Sequence, residues 1–242
     1  MTAPRTNEYG QPIGPPLPQW HARPMPPRTA MTGRWAVVER LDAARHGADL
    51  YAAFSAAPDG RDWTYMPAGP FKDRTAFDAY LARIEKSADP MHHAIVDTRT
   101  GRAVGSAALM RIDPANGVIE VGHISYSRSL RRTAVATEAM YLLMQRVFDE
   151  LGYRRYEWKC DSLNAPSRAA ALRYGFVFEG IFRQAIVYKS RSRDTAWFSI
   201  TDAEWPRLSE AYAQWLAPGN FDAKGMQRRP LHAMIDAARQ AD

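Results

Sequence analysis

The 242-residue chain contains one cysteine, Cys160, and no long apolar run. A single cysteine excludes an internal disulfide and a cluster of cysteine ligands around a metal ion, so we expect no metal in the site. No segment approaches the roughly 20 apolar residues of a membrane-spanning helix, and the first residues lack the apolar core of a signal peptide. These absences favour a cytoplasmic protein with no membrane partner.

Clustered basic residues are also missing: no run of five or more occurs, and no zinc-finger spacing is present. The chain is nevertheless basic, with a formal net charge of +6. Half of that excess comes from the N-terminal segment, which carries Arg5, Arg23, Arg28 and Arg34 against Glu8. A dispersed excess of this kind argues against nucleic acid as a partner and favours a local site for a small anion.

Proline is concentrated at one end, since residues 1–32 contain eight of the seventeen prolines. This segment cannot form a helix and is predicted to be an extended arm, which Trp20 anchors to the body of the protein or to a partner subunit. Residues 33–202 alternate between strand and helix patterns and are predicted to form the main domain. Residues 203–242 are predicted to be a C-terminal helix and tail. The two long terminal segments favour a homodimer.

Hydrophobic periodicity in the main domain predicts the order β-α-α-β-β-β-α-β-α-β-β. The clearest strand, residues 154–160, alternates apolar and charged side chains. A further helix is predicted to begin at Thr201, because Thr201 and Glu204 have the spacing of a capping box. This order indicates a mixed class of fold, α/β or α+β.

The stretch RRTAVATEAM begins at Arg131 and joins a predicted strand to a predicted helix. The first N–H groups of a helix have no intrahelical acceptor and, with the helix dipole, attract anions. Thr133, Ala134 and Ala136 are small enough to let a phosphate approach that backbone. Arg131 and Arg132 can add charge-assisted hydrogen bonds. The stretch predicts a phosphate site, although a solvated arginine pair before an alanine-rich helix has the same pattern.

A second stretch, DSLNAPSRAAALRYGFVFEG, follows the strand at 154–160 and leads through a short helix into the next strand. Together the two stretches resemble the signatures of the GNAT acyltransferases and, within them, of the RimJ/RimL-like protein N-terminal acetyltransferases. The matching residues are Arg131, Ala134, Ala136, Thr137, Glu138 and Ala139 in the first stretch and Asn164, Ser167, Gly175, Phe176, Glu179 and Gly180 in the second. The resemblance covers roughly residues 33–202.

The resemblance implies the GNAT fold, a mixed, mostly antiparallel, twisted sheet of about seven strands flanked by helices. It also implies an N-acetyltransferase, which moves an acetyl, succinyl or other short acyl group from acyl-CoA to a primary amine. The amine would belong to a small molecule or to a protein N-terminus. It would attack the thioester directly, through a tetrahedral intermediate, so that no covalent enzyme intermediate is needed.

The same resemblance implies where the cofactor lies. The pyrophosphate would contact the backbone amides of about Arg132 to Ala136, and the pantetheine arm would lie between the fourth and fifth predicted strands, which splay apart. A backbone N–H of the fourth strand, near His123 to Tyr126, would stabilise the oxyanion. The implied cofactor-binding residues are Ser125, Tyr126, Arg131, Arg132, Thr133, Ala134, Val135, Ala136, Thr137, Asn164 and Ser167.

Acyl transfer to an amine makes two proton demands. An amine with a pKa near 10 must be neutral to attack, and the departing thiolate gains from a proton. By the family match, Ser167 is the catalytic donor to the thiolate and Asn164 holds the cofactor arm. Both residues also fit helix capping, which would give them a structural role only.

Three positions depart from the family pattern. Ala134 replaces a usual glycine and adds a methyl group beside the phosphates. Ile186 occupies a place where a carboxylate is a general-base candidate, and Ala171 occupies the place of a frequent tyrosine. Tyr174 is close in sequence but is predicted to point elsewhere on the helix.

The general base is therefore expected at another position. Glu120 and His123 lie on the fourth predicted strand, on opposite faces if the strand is regular, so only one of them would reach the pocket. A β-bulge would change which one does. His123 titrates in the useful range, whereas His92 and His93 are weaker candidates. A water chain could also serve and would leave no signature.

Acceptor contacts are expected from the loop between the first two helices. There Trp63, Tyr65, Met66 and Phe71 either wall an apolar pocket or belong to the core. The missing glycine and carboxylate also support an alternative function, a GNAT-fold CoA-binding or regulatory protein without turnover. A nucleic-acid-binding module is a third alternative, and its binding would depend steeply on salt.

Overall fold

The structure, a computed structural model, describes residues 5–240 of the chain. This part contains six α-helices and ten strands. The helices are α1 (Ala43–Ser55), α2 (Arg74–Ile84), α3 (Ala134–Gln145), α4 (Ala165–Arg173), α5 (Trp205–Leu216) and α6 (Leu231–Gln240). None of these helices is long and apolar enough to cross a membrane. The strands are β1 (Arg5–Thr6), β2 (Pro12–Ile13), β3 (Met31–Thr32), β4 (Ala36–Arg40), β5 (Met91–Asp97), β6 (Arg102–Asp113), β7 (Val118–Tyr126), β8 (Arg155–Asp161), β9 (Val177–Tyr188) and β10 (Arg191–Thr201). From β4 to β10 the order agrees with the order expected from periodicity, and the fold class is confirmed.

Eight of the strands form one sheet in the order β3-β4-β5-β6-β7-β8-β10-β9, and β1 and β2 form a separate hairpin. Neighbouring strands are antiparallel except β7 and β8, which are parallel. The expected number of strands is about seven. The additional strand is β3, which lies at the sheet edge within the proline-rich segment and is too short to produce a periodic pattern.

Apolar residues on the two faces of the sheet form two separate cores. On one face, Leu50 of α1 and Phe77 of α2 pack with Val96 of β5. On the other face, Met140 of α3 packs with Ile119 of β7 and with residues of α5. Because β7 and β8 lie in the middle of the sheet, polar side chains on these strands are buried and need partners.

The boundary between β10 and α5 differs from the expected one. Thr201 is the last residue of β10, and α5 begins at Trp205 rather than at Thr201. The predicted contact does form, because the Glu204 carboxylate accepts hydrogen bonds from the Thr201 amide at 2.7 Å and hydroxyl at 2.8 Å. Thr201 stays in the sheet because it pairs with Arg155 of β8. The contact therefore closes the turn that precedes the helix.

Two anchors hold the N-terminal segment against the body of the protein. The indole N–H of Trp20 donates to the carbonyl of Ala115, in the turn between β6 and β7, at 2.8 Å. The buried carboxylate of Glu138 in α3 accepts from the backbone amides of residues 34–36 at 2.9, 2.6 and 2.7 Å. Bonds from N–H groups to an ionised acceptor are strong, so Glu138 fixes the start of β4 against α3.

Candidate active site

The parallel strands β7 and β8 are joined over only four residue pairs, from Val118 with Arg155 to Val121 with Trp158. Beyond this junction β7 continues along β6, and β8 continues along β10. Within the described part of the chain, residues 122–126 of β7 therefore have no paired strand on their β8 side. A strand in this state offers backbone N–H and C=O groups to a ligand. The splay expected between the fourth and fifth strands is seen at this junction.

Strand β7 contains a β-bulge at the start of its unpaired half. Ala108 and Ser106 of β6, two residues apart, face Gly122 and Ser125 of β7, three residues apart. The extra residue lies at His123, whose backbone has a left-handed φ of +48°. A φ of this kind is uncommon for residues other than glycine, and bulges re-aim the side chains beside them.

The bulge brings His123 to the face of the sheet that carries Glu120. His92 of β5 and Gly122 of β7 share the partner Ala108, and Glu120 lies two residues before Gly122, so these positions share one face. The ring of His123 lies with its centroid 5.1 Å from the centroid of His92. The regular alternation that would separate Glu120 from His123 does not hold here, and both side chains lie on the side of α1 and α2.

The environment of His123 keeps its imidazole neutral. Burial lowers the pKa of His123 below its ordinary value of 6.5, and Arg83 of α2 lowers it further. Burial, followed by the neighbouring His123, lowers the pKa of His92 to about 3. The Nδ1 atom of His123 is buried and has no hydrogen-bond partner among residues 5–240. The hydrogen-bonding capacity of this nitrogen is therefore unused by the described residues.

A buried ion cluster lies on the same face. The Nζ atom of Lys159 is 3.0 Å from Glu120 and 2.6 Å from Glu157, and Glu120 also pairs with Arg111 at 3.3 Å. Burial raises the pKa of Glu120, while Lys159 and Arg111 lower it. The carboxylate of Glu120 is held as the counter-ion of two cations, which makes it a weaker base candidate than the unpaired imidazole of His123.

The N-terminus of α3 stands at the open end of β7. Thr133 caps the helix by accepting from the amide of Ala136 at 3.2 Å, and Arg132 precedes it with a φ of +62°. The Nε of Arg131 donates to the carbonyl of Tyr126, the last residue of β7, at 2.9 Å. The first amides of a helix have no intrahelical acceptor and lie at the positive end of its dipole. With two arginines beside them, these amides suit the phosphates of acyl-CoA.

The predicted phosphate residues differ in accessibility. Arg131 and Arg132 are exposed, Thr133 and Ala134 are half-buried, and Val135, Ala136 and Thr137 are buried. The amide of Thr137 donates to the Thr133 carbonyl, and the Thr137 hydroxyl accepts from Arg173 at 3.1 Å. Thr137 thus stabilises the start of the helix. The exposed side chain of Arg132 and the first amides of α3 before Ala136 are left for an anion, whereas Arg131 already contacts Tyr126 and Asp62.

Two tyrosines lie beneath α3: Tyr174, which is buried, and Tyr126, which is partly buried. The hydroxyls of Tyr126 and Tyr174 both lie 3.5 Å from the carbonyl oxygen of Ala136, to which they donate. Burial raises the pKa of both hydroxyls. The hydroxyl of Tyr126 is therefore engaged on the helix side, and its backbone carbonyl accepts from Arg131. Ser125 lies beside Tyr126 at the same end of β7, opposite Ser106.

We expect Arg131→Glu to weaken CoA binding about tenfold to a hundredfold, because it removes a charge-assisted hydrogen bond and places a negative charge beside the phosphates. Arg131 also pairs with Asp62 at 2.9 Å, so the substitution loosens that contact as well. Isothermal titration calorimetry with CoA measures the effect. Arg183→Glu, the same charge change at an exposed position of β9, serves as the control. Equal affinities for both variants would contradict the phosphate assignment.

Asn164 and Ser167 lie at the start of α4, beside the splay. The Oδ1 atom of Asn164 accepts from the amide of Ser167 at 3.2 Å, which is a helix-capping bond. The hydroxyl of Ser167 instead accepts from the indole N–H of Trp158 at 3.0 Å. The sequence alternation in β8 places Trp158 on the core face, but it gives no sign that the indole N–H reaches α4. Trp158 is a further candidate site residue, which the sequence analysis missed.

The aromatic residues between α1 and α2 divide into two groups. Trp63 is buried, with its ring 5.1 Å from that of Phe71 in an edge-to-face contact, and Phe71 packs against the core on this side. Tyr65 and Met66 are half-buried, and the Tyr65 hydroxyl donates to the Leu163 carbonyl at 3.2 Å. Phe71 is therefore a packing residue, whereas Trp63 also lines a pocket with Ser125 and Tyr126 of β7. Tyr65 and Met66 are accessible to an acceptor.

The same loop is fastened to the hairpin between β9 and β10. The Nζ atom of Lys189 donates to the carbonyls of Trp63 at 2.7 Å and Gly69 at 2.6 Å. Arg191 donates to the carbonyl of Thr64 at 2.5 Å. These bonds join the α1–α2 loop to the hairpin at this edge of the sheet.

A sheet that opens between two parallel strands, beside a helix N-terminus flanked by arginines, is the arrangement of an acyl-CoA-dependent transferase. Comparison with known proteins agrees with this class. Residues 38–177, more than half of the chain, match the model of the acetyltransferase (GNAT) domain. The chain belongs to the GNAT family of acetyl-CoA-dependent transferases.

Solved structures and one curated protein are similar to this chain. A GCN5-related N-acetyltransferase from Brucella melitensis is 50% identical with a TM-score of 0.88, and the match covers 91% of this chain and 100% of that one. A probable GNAT acetyltransferase from Chromobacterium violaceum is 43% identical with a TM-score of 0.75, over 81% of this chain and 98% of that one. The Bacillus licheniformis protein named Uncharacterized N-acetyltransferase p20 is 29% identical over 112 residues, which are 46% of this chain and 62% of that protein.

Proposed function

We propose that this protein transfers an acetyl group from acetyl-CoA to a primary amine, with His123 as the general base. The observation that carries the proposal is the position of the His123 imidazole, whose Nδ1 has no partner among the described residues and which the bulge turns to the α1–α2 face of the sheet where β7 and β8 separate. A strained backbone residue of this kind at a cleft is a reason to infer function.

The donor half of the site has a physical basis in the splay and in α3. Arg131, Arg132 and the first amides of α3 would hold the phosphates, and Asn164 would lie along the arm of the donor. The donor would take the place of a strand partner for the backbone amides at residues 123–126 that point away from β6. A preorganised N–H of this kind, aimed at the thioester carbonyl, stabilises the charge that develops on its oxygen.

The acceptor half provides for the two proton movements. Nδ1 of His123 would take the proton that the amine loses as it attacks. The hydroxyl of Ser167 would donate a hydrogen bond to the departing sulfur. His123 lies on the side of α1 and α2 and Ser167 on the side of α4, so that the base and the donor flank the splay from opposite faces.

Replacement of Ser167 by alanine is expected to lower kcat about tenfold to a hundredfold while leaving the affinity for acetyl-CoA nearly unchanged. The variant also leaves the Trp158 indole without its acceptor, which costs about 1–3 kcal/mol of stability. Turnover must therefore be measured per folded molecule, with the folded fraction taken from circular dichroism. Wild-type kcat in the folded variant would reduce Ser167 to a structural residue.

The finer identity of the substrates is part of this proposal. The Thr137–Ala139 and Asn164–Ser167 motifs support a RimJ/RimL-like enzyme, with a small molecule or a protein N-terminus as acceptor and with acetyl or succinyl as the acyl group. We also propose a cytoplasmic homodimer. The exposed apolar side chains of Ile181, Phe182 and Val187 on the edge strand β9 support self-association, and sedimentation velocity tests it.

The first experiment is thermal unfolding of the purified protein with CoA, acetyl-CoA, succinyl-CoA and longer acyl-CoAs at fixed concentrations. A ligand that binds only the native state raises the midpoint. Release of free thiol is then followed with a panel of primary amines. Amine-dependent thiol release supports the proposed function. A midpoint shift without thiol release from any amine would instead support the alternative, a CoA-binding or regulatory protein, which Ala134 and Ile186 favour.

A further inference from the structure

Trp158 lies where the two halves of the sheet part. It is the last residue of β8 that pairs with β7, opposite Val121, and it is only 4% exposed. Its ring packs against Tyr174 and Phe176, with centroids 6.2 and 5.6 Å apart. Packing therefore fixes the indole in one orientation, with its N–H directed at the hydroxyl of Ser167 at 3.0 Å.

The chemistry of this bond determines how the Ser167 hydroxyl is used. An indole N–H can only donate, so the Ser167 oxygen must accept from Trp158. The amide of Ser167 is already used in the capping bond to Asn164. With its oxygen and its amide both held, Ser167 has one group left to direct, the proton of its hydroxyl. The buried thiol of Cys160, whose pKa burial raises and a hydrogen bond with Ser167 lowers, is a neighbouring group that competes for this proton. The Trp158 bond removes one of the two acceptor directions of the oxygen and limits where that proton can point.

We propose that Trp158 is a positioning residue for acyl transfer, which holds the Ser167 hydroxyl so that its proton points at the departing sulfur in the splay. This inference rests on the proposed function. When the C–S bond breaks, its electron pair goes to sulfur, and the sulfur receives a hydrogen bond from Ser167. The proton that completes the thiol is the one that the amine loses, passed on through His123 and water. Trp158 itself touches none of the reacting atoms.

The test is a double-mutant cycle with Trp158→Phe, Ser167→Ala and the double variant. Phenylalanine keeps an aromatic ring against Tyr174 and Phe176 but has no N–H. We expect Trp158→Phe to lower kcat about fivefold, the factor that corresponds to the loss of one hydrogen bond of about 1 kcal/mol, with an unchanged KM for acetyl-CoA. In the Ser167→Ala background, the same substitution should have no further effect on kcat.

Trp205→Phe is the matched control. Trp205 is 5% exposed and its indole N–H donates to Asp149 at 2.6 Å, so the substitution removes the same kind of bond at a similar depth but away from the splay. We expect it to lower stability and to leave kcat unchanged. An equal loss of kcat from Trp158→Phe in both Ser167 backgrounds would overturn the inference, because a structural role acts independently of the hydroxyl.

A second measurement does not depend on turnover. In ¹⁵N-labelled protein, Ser167→Ala should shift the indole N–H resonance of Trp158 more than that of any other tryptophan. An unmoved resonance would overturn the inference. Failure of this inference can be distinguished from failure of the proposed function. A wild type that binds acetyl-CoA and acylates no amine overturns the proposed function. If the enzyme is active and the effects of Trp158→Phe and Ser167→Ala on kcat are additive, only the role of Trp158 is overturned.

Discussion

Replacing His123 by asparagine is expected to lower kcat/KM for acetyl transfer by about two to three orders of magnitude, the usual contribution of a positioned general base. Asparagine adopts left-handed backbone conformations more readily than most residues, so the φ of +48° at this position can be kept. The variant thus removes the proton acceptor and retains the bulge. Steady-state kinetics with acetyl-CoA and an amine measure the effect, and calorimetry should show unchanged donor affinity.

The pH profile distinguishes His123 from the other candidate base. Because burial and Arg83 lower the pKa of His123 below 6.5, its imidazole is neutral at pH 7 and takes up a proton only below that value. Expressed per neutral amine, kcat/KM of the wild type should be level near pH 7 and fall below pH 6.5, and His123→Asn should lack this fall. A larger rate loss in Glu120→Gln than in His123→Asn would assign the base to Glu120 and contradict the role of His123.

The variant Lys159→Met is expected to lose about 3–5 kcal/mol of unfolding free energy, since removal of one partner leaves buried charges uncompensated. Lys159 is 7% exposed, joins Glu120 to Glu157, and lies 3.8 Å from the ring centroid of Trp197. Methionine has a similar length and packs against the ring, so the loss reports mainly on the missing charge. Urea denaturation at pH 7 gives the change.

The loss of unfolding free energy in Lys159→Met should depend on pH, and Glu120 determines the direction of that dependence. Burial already raises the pKa of this carboxyl, and Lys159 opposes the rise. Without Lys159 the folded-state pKa rises further, so the deficit should be largest at neutral pH and shrink as falling pH protonates Glu120. Lys72→Met, at an exposed pair with Asp73 3.8 Å away, is the control and should cost less than about 1 kcal/mol. Equal losses in the two variants would show that the cluster contributes no more than a surface pair.

The candidate donor half of the site can be proposed from the sequence because its signals are local. The small residues after Arg131 and the cap at Thr133 belong to one helix start, and a helix start carries its anion site with it. The alternation of β8 likewise predicted which side chains face the core. Motif spacing along a single element needs no knowledge of its neighbours, and this half of the site depends on little else.

The residues proposed to move protons were harder to predict from the sequence, because their positions depend on the register between strands. The direction of His123 follows from one extra residue in β7 relative to β6, which no pattern in β7 alone reveals. The bridge from Glu120 through Lys159 to Glu157 requires the parallel alignment of Glu120 with Glu157. The Trp158 bond to Ser167 joins a strand to the helix after it. Each is a contact between elements, and composition and periodicity describe elements one at a time.

The four-pair junction between β7 and β8 also has a consequence for the supply of the protein in the cell. Only four residue pairs join the two halves of the sheet there, so a donor bound in the gap, as the proposed function has it, would add contacts between the halves. Occupied molecules therefore unfold less often than empty ones. When acyl donor becomes scarce, the empty fraction grows and with it the fraction exposed to proteolysis. The abundance of this transferase would then follow the supply of its donor.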